Sequence, residues 1–258
     1  MPSESTAPRN NTQPQTKTRT MNAVTAKPTA RREFLRATAW GAVVAGGLSL
    51  TGRALGQSKA EDPSDASPPQ PYSAEKIRQF VNDAHFNVDV IKSMLKEEPK
   101  LANACIDWGG GDFESALGAS SHMGRRDIAS VLLDHGARKD IFYAAMSGDT
   151  EVVTAFVSSD PSIVSVPGPH GLTLMYHAVL SKDLNLVTYL QSNGAAIGHY
   201  DLQAAAMADS YEMAEWLLEN GVVYDGEPVF MGKNWAEFAR ENGRERIARL
   251  LESRKVSD

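Results

Sequence analysis

The chain has one cysteine, Cys105, in 258 residues, so an intramolecular disulfide and a cysteine-built metal site are both excluded, and stability has to come from packing. Long apolar runs are equally scarce. The stretch from Ala37 to Leu50 is only weakly apolar, is interrupted by Gly41, Gly46 and Gly47, and is too short for a comfortable membrane span. No Gly-x-Ser-x-Gly elbow, phosphate loop or dinucleotide fingerprint occurs, which removes the commonest local signatures of hydrolases and nucleotide enzymes. The six histidines, His85, His122, His135, His170, His177 and His199, never fall in a His-x-x-x-His or His-Glu-x-x-His spacing that would set two ligands on one helical face. On spacing alone we expect no metal site, no cofactor and no catalytic residues. Residues 1–29 contain almost no large apolar side chains and cannot offset the entropy of ordering, so they read as a disordered leader.

The charge is unevenly distributed. Residues 57–258 carry 18 Lys/Arg against 30 Asp/Glu, a net of −12, whereas the whole chain has a net of −6. A strongly acidic body repels phosphate backbones and anionic headgroups, which argues against nucleic acid and against a membrane surface as partner.

Arg31, Arg32, Glu33, Phe34, Leu35 and Arg36 run directly into the weakly apolar stretch. This order resembles the twin-arginine export signal of bacteria. The resemblance implies a signal peptide over residues 30–56, cut after the small residues of Ala54-Leu55-Gly56, and delivery to the periplasm by the twin-arginine machinery with no stable membrane anchor left behind. Met21, ten residues before Arg31, offers a second possible start. The Pro-rich acidic residues 57–71 read as a linker.

From Ser73 a pattern recurs: an Ala-rich stretch, a polar residue, an apolar pair with Leu-Leu, then Gly-Ala. One copy has Ser115-Ala116-Leu117-Gly118-Ala119, then Asp127-Ile128-Ala129-Ser130-Val131-Leu132-Leu133 and Gly136-Ala137. Another has Gly171-Leu172-Thr173-Leu174-Met175-Tyr176-His177-Ala178, then Leu186-Val187-Thr188-Tyr189-Leu190 and Gly194-Ala195. These copies resemble the ankyrin repeat. Val90, Ile128, Val152, Leu186, Met213 and Ile247 occupy equivalent second-helix positions, at steps of 38, 24, 34, 27 and 34. The implied fold is all-α, an ankyrin-repeat solenoid of about six helix-turn-helix units over residues 72–256. The long steps leave room for three β-turn fingers, at Asn103–Glu114, Asp160–Leu172 and Val222–Asn234. At the short joins Asp140 and Asp201 are placed to cap the following helices. Ala144-Ala145, Ala178 and Ala204-Ala205-Ala206 keep the first helices thin, while Val152, Val153, Leu186, Leu217 and Leu218 supply the apolar second helices. The Thr-Pro-Leu-His tetrapeptide of the family is intact nowhere: Ser-Ala-Leu-Gly begins at Ser115 and Thr-Leu-Met-Tyr at Thr173.

Gly109-Gly110-Gly111 reads as a hairpin tip that needs positive φ. Asp107, Asp112 and Glu114 around it read as solvated loop carboxylates, poor catalysts because open water leaves their pKa values ordinary. His135 beside Gly136 reads as structural. The family resemblance implies that partners touch the finger tips and the residues just before the end of each first helix. Those positions include His122, Met123, Met146, Leu180 and Met207, of which Met123, Met146, Leu180 and Met207 read as an exposed apolar stripe suited to an adaptable contact. The fingers add Trp108, Asp112, Phe113, Pro169, His170, Phe230 and Met231. The resulting expectation is an exported, cofactor-free, non-enzymatic module that binds a protein or peptide. Two alternatives stand beside it: an accessory subunit of an exported oxidoreductase, and a small-ligand binder for a sugar or aromatic compound using Trp108, His122, Tyr143 and His170.

Overall fold

The computed structural model describes residues 70–229 and 232–256. The leader, the signal and most of the linker expected at residues 1–71 lie outside them, as do Phe230 and Met231. Among the described residues twelve α-helices form six successive pairs. They are α1 (Ala74–Asp83) with α2 (Val88–Glu97), α3 (Ala116–His122) with α4 (Arg126–Asp134), and α5 (Ile141–Ser147) with α6 (Thr150–Ser159). The second half repeats the arrangement with α7 (Leu174–Ser181) and α8 (Leu184–Ser192), α9 (His199–Met207) and α10 (Tyr211–Glu219), and α11 (Trp235–Glu241) and α12 (Glu245–Ser253). No described helix is long and apolar enough to cross a membrane.

Caps fix where the helices begin. Ser73, Ser115, Asp140, Thr173 and Asn234 each accept the amide three residues on and so start a first helix. Second helices begin after Asn87, Arg125, Asp149, Asp183, Ser210 and Arg244, in every case three residues before the equivalent position read from the sequence. Asp140 caps α5 as expected, its Oδ1 accepting the Tyr143 amide at 2.7 Å. Asp201 does not occupy the cap. Gly198 does, and Asp201 sits three residues inside α9, its Oδ2 accepting the Gly198 amide at 2.7 Å.

The core runs through all six pairs. Ala144, Ala145, Ala178, Ala204, Ala205 and Ala206 are buried and let first helices of neighbouring pairs pack closely. Val153, Leu186 and Leu217 are buried on the second helices. Val152 is 37% exposed and Leu218 only half-buried.

Side chains tie successive pairs through backbone carbonyls. Arg125 Nη1 donates to Phe86 O at 2.6 Å, Arg126 Nη2 to Met146 O at 2.6 Å, and Asn103 Nδ2 to Gly136 O at 2.9 Å.

Only the first of the three expected fingers contains a two-stranded ladder among the described residues: β1 (Cys105–Asp107) pairs antiparallel with β2 (Phe113–Ser115), with Ile106 opposite Glu114. Gly109, Gly110 and Gly111 form its tip with φ of 131°, 66° and 88°, as an L-residue rarely could. The second finger is built instead from two 3-10 turns, Pro161–Ser165 and Pro169–Gly171. Its prolines offer no amide to a ladder.

Candidate functional site

The alternation of β2 inverts the polarity expected of a finger. Phe113 points outward and is 64% exposed, while Glu114 points inward and is fully buried. Reading Glu114 as a solvated loop carboxylate is therefore overturned: strand periodicity, set by pairing with Ile106, overrides its charge.

Three imidazoles converge on that carboxylate from separate elements. His85, in the turn after α1, places Nε2 3.6 Å from Glu114 Oε2. Its Nδ1 lies 3.1 Å from Val81 O and 3.0 Å from Asn82 O. Carbonyls only accept, so Nδ1 carries the hydrogen and Nε2 presents a lone pair to the cluster when the ring is neutral. His122, the last residue of α3, is buried with Nδ1 3.1 Å from Glu114 Oε1. His170, in the second finger, places Nε2 3.4 Å from Glu114 Oε2. Asp112 holds His170 twice, its Oδ1 accepting the backbone amide at 2.8 Å and its Oδ2 facing Nδ1 at 2.9 Å. That double grip maintains His170 at φ 58°, a conformation with a strain cost for a side chain of this size. Trp108 completes the surround by donating Nε1–H to Glu114 Oε2 at 2.7 Å.

Burial alone would raise the Glu114 carboxyl, but the His122 and His85 imidazoles and the Trp108 N–H outweigh it and hold the group below its ordinary range. Burial pulls His122 the other way, downward and toward the neutral form, against the attraction of Glu114. Asp112 is lowered chiefly by the His170 amide. Glu114 Oε1 and His122 Nδ1 face each other while buried, yet neither completes a hydrogen bond. One donor atom from each of His85, Glu114, His122 and His170 lies within 4.8 Å of every other. The sequence offers no two-ligand spacing motif, yet these four residues meet in space, because ligand-type residues can converge without any motif in sequence.

The remaining sequence-selected residues divide sharply. Trp108 is partly buried beneath Arg78, whose guanidinium carbon is 5.2 Å from the ring centroid. The small-ligand set separates: Trp108, His122 and His170 meet around Glu114, whereas Tyr143 lies beneath Lys139 Nζ at 5.7 Å. The exposed apolar stripe does not exist as read. Met146 is fully buried and Leu180 is 5% exposed, since the residue ending a first helix faces the next pair and fills the gap left by its alanines. Met123 is half-buried, and Met207 is half-buried with Sδ 3.5 Å from the Tyr176 hydroxyl that donates to it. What remains open is the finger side. A cavity of about 730 Å³ there is lined by Cys105, Gly111, Phe113, Phe142, Pro167 and Pro169, among others.

Residues 141–228 match the ankyrin-repeat family model, in three copies. The matched ankyrin repeats run from α5 through α10 into the third finger, and the pairs on either side share their cap positions and their continuous core. Ankyrin repeats are generally protein–protein interaction modules and typically non-catalytic. The chain has no significant match among curated proteins.

Proposed function

We propose that the chain is an exported, non-enzymatic interaction module that holds a basic protein or peptide segment on its finger side. The observation that carries this reading is Phe113, 64% exposed at the lip of an open groove whose other walls include Phe142, Pro167 and Pro169. A large aromatic held outward by a strand that has no freedom to flip is suited to anchoring a partner's apolar side chain. The net charge of −12 over residues 57–258 favours a basic partner, by steering its encounter and by repelling acidic competitors. Export rests on the Arg31-Arg32 sequence and its weakly apolar sequel.

Affinity capture from periplasm with mass spectrometry, comparing the wild type with Phe113→Asp, tests the surface. A basic protein retained by the wild type and lost from the variant, at an unchanged melting temperature, is the expected result. Loss of an anchor of this kind costs about 2 kcal/mol or more, roughly thirtyfold in affinity. Equal retention by both would remove the Phe113 face from consideration.

A further inference from the structure

We propose that His85, Glu114, His122 and His170 bind one divalent transition-metal cation of the zinc type, in a structural site that clamps the first two helix pairs to two fingers. This assignment does not depend on the protein-binding reading.

The donor set fits the ion. Zinc bonded to imidazole nitrogen or carboxylate oxygen at about 2.0–2.1 Å in a tetrahedron needs its donors about 3.3 Å apart. Glu114 Oε2 already stands 3.4 and 3.6 Å from Nε2 of His170 and His85, and its Oε1 stands 3.1 Å from His122 Nδ1. No pair of donor atoms exceeds 4.8 Å, so small side-chain rotations close the remainder. Three nitrogens and one oxygen are too few hard ligands for calcium or magnesium, and the lack of thiolate disfavours monovalent copper.

The outer partners fit equally well. Metal-binding imidazoles ordinarily give their second N–H to a carbonyl or a carboxylate. His85 does so toward Val81 O and Asn82 O, and His170 toward Asp112, and both turn Nε2 inward. Within the cluster, His122 Nδ1 and Glu114 Oε1 are buried, complete no hydrogen bond and stand 3.1 Å apart. When Nδ1 is unprotonated its lone pair opposes the carboxylate oxygen in a dry site, and a cation between them gives both a partner. Four protein ligands fill a tetrahedron and leave no open position for substrate, which makes the role structural. Because Glu114 and His170 sit on different fingers, occupancy fixes the backbone carrying Phe113.

The test uses the full chain, stripped by chelator and dialysed, with Zn²⁺ titrated calorimetrically and Co²⁺ followed by visible absorption as a geometry probe. We expect one equivalent per chain, intense tetrahedral Co²⁺ bands, and a melting temperature that rises with added Zn²⁺. Glu114→Gln and His170→Ala should each weaken binding by tenfold or more. His170 is 37% exposed, so its variant keeps the test available if Glu114→Gln fails to fold. Asp112→Asn, which removes no ligand, should weaken binding about 10–100-fold if Asp112 orients His170. His135→Ala should leave binding unchanged. Absence of saturable binding by the wild type would show a Glu–His hydrogen-bond network alone and overturn the site, as would full-strength binding by the His170→Ala variant.

Discussion

Asp201→Asn separates the energy of burying a charge from that of capping a helix. Asp201 is 3% exposed at the start of α9, and burial raises its carboxyl from 3.8 to about 7, against the opposing effect of the Gly198 amide. The folded chain therefore holds a proton on Asp201 over a pH range in which the unfolded chain has released it. Where the folded state binds more protons, stability falls as pH rises. The penalty is absent below pH 3.8, grows between 3.8 and about 7, and is constant above that. At about 1.4 kcal/mol per pKa unit it reaches roughly 4 kcal/mol, reduced by up to about 1 kcal/mol if the N-terminal dipole of α9 favours the ionised form. Asn keeps an oxygen to accept from Gly198 but does not ionise. His177 contributes the opposite slope: burial lowers it to about 4, so its penalty grows as pH falls. That slope is common to wild type and variant and cancels in their difference. Thermal or urea unfolding followed by circular dichroism should show the variant more stable, with an advantage growing by about 2 kcal/mol between pH 5 and pH 8. For a domain of this size that growth is roughly 4–8 °C in melting temperature. An advantage independent of pH, or a wild type more stable than the variant at pH 8, would refute the reasoning.

Met146→Glu should lower stability on the order of 3–5 kcal/mol, because Met146 is fully buried on α5 and a carboxylate there has no counter-charge; an unchanged thermal melt would place Met146 on the surface after all. Arg31→Lys combined with Arg32→Lys should leave the full-length precursor in the cytoplasm, read by fractionation and immunoblot, and undiminished periplasmic delivery would sink the export proposal.

The helical framework was legible because its signals are local. Second-helix positions fall three residues after each cap, and the Ala runs read as thin first helices are buried as such. The Gly109-Gly110-Gly111 tip was legible for the same reason, being a backbone requirement written in three adjacent residues. The second finger was misread because its length was counted and its prolines were not: Pro161 and Pro169 start 3-10 turns instead of supplying ladder amides. The Met stripe failed because the family's contact positions say which residues end a helix, not how far the next pair covers them. Met146 and Leu180 lie under that cover. The histidine cluster was illegible because its members are separated by up to 85 residues and each has a bland local role available. One signal was present: in Phe113-Glu114-Ser115 the pairing register forces either the aromatic or the carboxylate inward, and only a carboxylate with partners can go.

That forced choice links the two proposals. A three-residue strand cannot support a fully buried carboxylate from its own ladder, since desolvating the charge costs more than the few hydrogen bonds of β1 and β2 return. Glu114 stays inward because His85, His122, His170 and Trp108 surround it, and three of those four come from outside the finger. Phe113 stays outward for the same reason, as the other face of the same strand. Weakening the cluster therefore acts first on the direction in which Phe113 points, with the helical pairs continuing to hold their own core. A ligand variant such as His170→Ala should then reduce partner capture more than it reduces helical content. Phe113→Asp should reduce capture without altering metal affinity. The two substitutions act on opposite faces of one strand, and that asymmetry is what distinguishes an anchor from the clamp that aims it.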